Sequence, residues 1–239
     1  MKSLAFPFKA VIFFALITLA RENDFSILKS LLLIGGGIAI YYFPQTKPSY
    51  KFTGAAIIGL SLTGIILIAN NTAFLIFAVL ISLIMQIAVN LKNLELIYRN
   101  DWHYLVTLTI LYFGILFISE ISRISIISTA ISSVVVFLTS LLLLSEFFSR
   151  LENDNKKTKE VILGQSAILA LSTSEIFWAV NILPVKPIYS ANIIIAFLFI
   201  VTEILKQSHI SKKNLITNIA IFLILVIATL AVSNWQIGN

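Results

Sequence analysis

The sequence predicts an all-α polytopic membrane protein, a bundle of about nine transmembrane helices with its N-terminus inside and its C-terminus outside. Three observations predict it. The 239 residues are 59% hydrophobic and only 12% charged, about half the charge of a soluble domain. The apolar stretches run close to the 18–20 residues that cross a bilayer, and the mean hydropathy of the chain is +0.98. The 17 Lys and Arg residues are sided. Counting the N-terminus and every second loop as one side, 13 of them fall there and only Arg21, Lys29, Arg123 and Lys186 fall opposite. Short loops rich in Lys and Arg stay cytoplasmic, which sets the orientation.

Span one is about Leu4–Ala20. It also fits a signal peptide, with Lys2 and Lys9 as the n-region and Thr18-Leu19-Ala20 as a cleavage site. The uncleaved helix is preferred, because a cleaved leader is uncommon ahead of eight further spans. Span two, about Ser26–Phe43, is closed by Pro44 and Pro48. Span three is about Phe52–Ala69. Asn70-Asn71-Thr72 then turns tightly into span four, about Ala73–Leu91, which predicts an antiparallel hairpin. Lys92–Trp102 is an inner loop with Tyr98 and Trp102 as interface anchors. Span five is about His103–Ile118, Ser119–Arg123 is an outer turn, and span six is about Ile124–Phe148.

Positions 149–160 are the longest polar stretch and read as a cytoplasmic loop between six spans (1–148) and three (161–239) of a single helical domain. Span seven, about Val161–Leu183, ends at Pro184 and Pro187. Span eight is about Ile188–Leu205, Lys206–Asn214 is inner loop, and span nine is about Leu215–Val232, with Trp235 as an outer interfacial aromatic. Helices are required because a backbone facing lipid must satisfy its own hydrogen bonds. Runs such as Leu141–Leu144 lack the alternation of barrel strands.

The strongest candidate for function is Glu175, a carboxyl inside span seven. A charge near the bilayer centre costs about 2.5–3.5 kcal/mol on the mildest scale, so Glu175 is expected to face other helices. Gly164, Leu171, Ser172, Trp178 and Ala179 share its helical face. Of these, the Ser172 hydroxyl and the Trp178 indole N–H are the donors a carboxylate would use. Two readings stand: a proton, cation or headgroup site, and, preferred, a protonated or hydroxyl-bonded packing residue. Glu120 and Arg123, three apart, are expected to form a local surface pair; the sharper alternative folds Arg123 inward toward Glu175. Gln86 and Asn90, and Asn181 and Asn192, are expected to act as interhelical glue. Gly35-Gly36-Gly37 signals close helix packing in preference to a broken transporter helix. Ala55, Gly59 and Thr63, and likewise Ser166, Ala170 and Ser174, follow small-xxx-small spacing that predicts helix contacts. Glu203 and Lys206 are expected to pair at the inner end of span eight.

No catalytic residue, metal ligand set or cofactor site is predicted. Cysteine is absent, so thiolate metal sites and disulfides are excluded. His103 and His209 sit near the inner interface without acidic partners at ligand spacing, and His-Glu-x-x-His, Walker and Gly-x-Ser-x-Gly patterns are missing. The basic excess is topological and suits anionic headgroups, so nucleic acid is not an expected partner; the bilayer, and other membrane proteins, are. The stretch Ser174-Glu175-Ile176-Phe177-Trp178-Ala179-Val180-Asn181-Ile182-Leu183-Pro184 resembles one in a family of small polytopic membrane proteins of candidate-phylum bacteria. The resemblance covers about a dozen residues and implies a membrane location; it transfers no functional residue. The sequence thus predicts a multi-pass protein of the plasma (inner) membrane, a non-enzymatic scaffold or accessory subunit. The alternative is a small transporter of a proton, cation or amphiphile using Glu175. A lipid-modifying enzyme ranks third, because the loops lack clustered acids and histidines.

Overall fold

The structure, a computed structural model, describes residues 8–22, 26–43, 51–93, 99–123, 126–151, 159–206 and 212–233. Among them the regular elements are nine α-helices: α1 (Phe8–Arg21), α2 (Ile27–Tyr42), α3 (Lys51–Leu67), α4 (Asn71–Asn93), α5 (Arg99–Ser122), α6 (Ile126–Leu151), α7 (Lys159–Ile182), α8 (Pro187–Lys206) and α9 (Lys212–Val232). The helical membrane character expected from the sequence is met. Five stretches are long and apolar enough to cross a bilayer: Asn71–Leu91, Asp101–Ser122, Ser128–Ser149, Lys159–Ile182 and Pro187–Leu205. The first three helices are shorter. The 14 residues of α1 rise about 21 Å, against a hydrocarbon core of about 30 Å. Pro44, Pro48, Tyr98, His209, Trp235 and most of the 149–160 loop lie outside the described residues.

Local chemistry sets the helix ends. Ser26 caps α2, its side chain accepting the Lys29 amide. Asn70 caps α4 in the same way: its Oδ1 accepts the Ala73 amide at 3.1 Å and its carbonyl accepts Phe74 at 2.9 Å. The expected tight turn between spans three and four is therefore present. The expected turn at Ser119–Ser122 is instead the last turn of α5. No Gly or Pro interrupts that stretch, and the Ser122 hydroxyl donates to the Ser119 carbonyl at 3.1 Å, within the helix itself.

The chain forms two compact units, Met1–Ile110 and Leu111–Asn239. In the first, α1 packs on α2, α3 and α4, with α2 on α3 and α3 on α4. Phe13 and Ile17 of α1 are fully buried. Lys9, near the start of α1, donates to the Ile40 and Phe43 carbonyls at the end of α2, at 3.3 and 3.1 Å. Arg21, at the end of α1, donates to the Ala69 carbonyl and Asn71 Oδ1 at 2.8 and 2.9 Å, and its guanidinium lies 4.0 Å over the Phe74 ring. These ties make the hairpins antiparallel. Gln86 is the interhelical glue the sequence suggests. Its Oε1 accepts the Ala10 amide at 3.0 Å, an N–H in the first turn of α1 that lacks a helical partner. Its Nε2 donates to Asn90 at 3.3 Å.

Glycines allow the close approach in this unit. A Cβ on Gly36 would lie 2.5 Å from Leu16, and one on Gly37 2.9 Å from Ile58, so these two glycines pack an unbroken α2 onto its neighbours, while a Cβ on Gly35 would meet nothing within 4 Å. The small-xxx-small reading of Ala55, Gly59 and Thr63 is corrected: Ala55 and Gly59 are exposed. The packed glycines of α3 are Gly54 and Gly64, where a Cβ would meet the Tyr41 and Phe77 rings at 2.2 Å. The aromatic rings of neighbouring helices need the glycine face, so they select it over the Ala55 face.

In the second unit α7 packs most extensively on α6, then on α8, and α8 packs on α9. Val180, Val185 and Ile193 form a core closed by Ile176, Tyr189, Val226 and Leu230. Small residues at buried positions permit this packing. They are Ser132, Val136 and Ser140 of α6, and Ser166, Ala170, Thr173 and Ser174 of α7.

Candidate functional site

Helix α7 positions the candidate residues, and its two faces differ. The buried face is Ser166, Leu169, Ala170, Thr173, Ser174, Phe177 and Val180, the i, i+3, i+4, i+7 pattern of a helix packed on one side. Its hydroxyls are satisfied on their own helix: Ser166 donates to Ile162, Thr173 to Leu169 and Ser174 to Leu171, at 2.6 to 2.8 Å. The small-xxx-small expectation for Ser166, Ala170 and Ser174 is thus met.

The opposite face carries Gly164, Leu171, Glu175, Trp178 and Ala179, all exposed, with Ser172 partly so. The sequence groups these residues correctly, but the expectation that Glu175 faces other helices is corrected. Glu175 makes no hydrogen bond or ion pair among the described residues, and Ser172 and Trp178 do not reach it. The reason is geometric. At 100° per residue Glu175 lies about 140° from the centre of the Ser166–Ala170–Ser174 stripe. Burying that stripe against α6 turns the carboxyl outward.

Arg123 does not fold toward Glu175 either. It follows the last turn of α5, and its guanidinium donates to the Val185 carbonyl in the turn between α7 and α8. Glu120 is exposed and forms no direct pair with it. Burial lowers the Arg123 guanidinium from its ordinary value, and the nearby Glu120 carboxylate raises it in part. The bond to Val185 brings the end of α5 to the end of α7, and the Thr129 hydroxyl, donating to the Ser122 carbonyl at 3.0 Å, brings in the start of α6.

These three helix ends line an open cavity of about 640 Å³. Its polar lining is Ser122, Arg123, Thr129 and Asn181. Its apolar lining is Trp178, Ile182 and Leu183, of which Trp178 is 50% and Ile182 62% exposed. Asn181 Nδ2 donates to Ser122 Oγ at 3.3 Å, while Asn181 Oδ1 is buried without a hydrogen-bond partner. Of the five sequence candidates the cavity gathers Arg123 and Trp178. Glu175 lies one helical turn below Trp178, and its Cα–Cβ bond tilts toward the α7 N-terminus, away from the cavity.

Sequence reasoning did not single out Ser122, Thr129, Ile182 and Leu183, and it treated Asn181 only as glue. A usable signal exists: Ser119–Arg123, Thr129 and Asn181 cluster polar residues at one predicted membrane boundary. Nor does sequence reasoning single out Glu146, a carboxyl on α6 only 6% exposed, although Glu146 lies between the apolar pairs Leu143-Leu144 and Phe147-Phe148. Asn192 is exposed, and the Lys206 side chain expected to pair with Glu203 lies outside the described residues. His103 is buried, its Nδ1 3.4 Å from the Thr107 hydroxyl. Among the described residues no three His, Asp or Glu side chains are grouped to hold a metal ion. Comparison with family models, curated proteins and solved structures finds no match.

Proposed function

We propose that this chain is a non-enzymatic accessory subunit of the bacterial plasma membrane, whose α7 outer face docks against another integral membrane protein. The topology proposed is nine crossings with the N-terminus inside and the C-terminus outside. The alternating directions of the hairpins within each unit support it, as does the sided distribution of Lys and Arg. The short α1 to α3 cross by local thinning of the bilayer and by snorkelling of flanking lysines. The span-seven resemblance to small polytopic membrane proteins fits the same location.

The observation that carries the docking reading is the outward position of Glu175. It lies seven residues before the end of α7 at Ile182, about 10 Å along the helix axis from that end, which in the proposed topology is below the headgroups. An ionised carboxyl there, facing only lipid, costs about 2.5–3.5 kcal/mol. A partner helix with a basic, amide or hydroxyl side chain at that depth removes the cost. Leu171, Trp178 and Ile182 supply the apolar contact around it, each at least half exposed. The transporter reading needs Glu175 on a water-lined lane through the bundle, and the cavity at the ends of α5, α6 and α7 is not lined by Glu175.

The test is photo-crosslinking in native membranes, with the reactive amino acid placed at Leu171 on the outer face or at Leu169 on the buried face. A discrete adduct with one other membrane protein from Leu171, lost in Glu175→Leu and absent from Leu169, is the expected result. Lipid adducts alone from Leu171 would overturn the docking reading.

A further inference from the structure

We propose that the cavity at the joined ends of α5, α6 and α7 is a phospholipid headgroup site, selective for a phosphodiester whose headgroup also carries a hydrogen-bond donor. The polar part of this site is independent of the docking face of α7, while Trp178 and Ile182 belong to both. The lining holds open valences of two kinds. Arg123 spends one donor on the Val185 carbonyl and keeps the rest of its fork, the geometry that binds phosphate oxygens in pairs. Glu120 stands near enough to favour the charged guanidinium without occupying it. Asn181 presents the complementary need. Its Oδ1 is a buried acceptor with no donor, a state that costs stability until a ligand or water supplies one.

The other polar groups are already committed. The Ser122 hydroxyl donates to Ser119 and receives Asn181, and the Thr129 hydroxyl donates to the Ser122 carbonyl. They fix the shape of the pocket and leave Arg123 and Asn181 to select the ligand. A phosphate oxygen answers Arg123; a glycerol hydroxyl or a primary ammonium answers Asn181 Oδ1. The apolar part of the lining identifies the source of the phosphate. Trp178 and Ile182 line the cavity and are also exposed on the outer strip of α7. An acyl chain leaving the pocket would run along that strip, and a tryptophan at headgroup level suits such a boundary.

Native mass spectrometry of the full chain in detergent, titrated with phosphatidylglycerol, phosphatidylcholine or glycerol phosphate, tests this. Phosphatidylcholine has the phosphodiester and acyl chains but no donor, and glycerol phosphate has the polar groups but no chains. Phosphatidylglycerol is expected to bind at least about tenfold more tightly than either. Arg123→Gln is expected to weaken it by roughly tenfold, the loss of one charge-assisted contact. Asn181→Leu is expected to erase the preference over phosphatidylcholine. Equal binding of the two lipids by the unaltered chain would overturn the proposal, even if a variant fails to fold. Glycerol phosphate binding as tightly as phosphatidylglycerol would overturn the lipid source and assign a solute site.

Discussion

The two faces of α7 put the same kinds of residue to opposite uses. On the buried face Ser166, Thr173 and Ser174 return their hydroxyl protons to carbonyls of their own helix, so polar side chains pack as small, closed shapes. On the outer face Glu175 and Trp178 make no such bonds among the described residues, and each is exposed. Polarity that is satisfied locally marks packing. Polarity left open, on a helix apolar enough to cross a bilayer, marks the surface proposed to meet a partner.

If the buried face holds the unit together, Phe177→Ala should hurt most. Phe177 is fully buried, and truncating it should cost about 3–5 kcal/mol, read as a lower unfolding midpoint in detergent. Ala170→Leu comes next. Ala170 is also fully buried in the small-residue stripe, so the larger side chain should force α6 and α7 apart at about 1–3 kcal/mol. Gly164→Ala on the outer face should act in the other direction. A Cβ there meets nothing within 4 Å, and the helix gains up to about 1 kcal/mol. Glu175→Leu should be the smallest, within about 0.5 kcal/mol of zero for the isolated chain, since the side chain faces the same lipid or detergent folded and unfolded. A large loss in Glu175→Leu would erase the distinction between the faces.

The sequence carries the helical membrane fold through segment length and low charge, and the Asn70 turn through its capping chemistry. It also carries both stripes of α7. What it leaves undecided is which stripe turns inward. The expense of a carboxyl in lipid argues for burying Glu175, and the spacing of Ser166, Ala170 and Ser174 argues for burying the other side. The two demands are incompatible on one helix at 100° per residue, and close packing on α6 prevails. The same ambiguity misassigns α3, where the Tyr41 and Phe77 rings select Gly54 and Gly64 over the Ala55–Gly59 face. The cavity was less legible because it depends on long-range contacts. Arg123 meets Val185 across 62 residues and Asn181 meets Ser122 across 59, and no local pattern announces either.

Glu175 is exposed on the folded chain and is proposed to be covered by a partner in the native membrane. The chain has no cysteine, so Glu175→Cys carries a single spin label without background. In purified chain reconstituted into lipid nanodiscs the label should be accessible to oxygen and inaccessible to a water-soluble paramagnetic reagent. In native membranes it should become shielded from both. A label that is shielded from oxygen in the purified chain and open to the water-soluble reagent would place Glu175 on an internal aqueous lane, and would contradict the account.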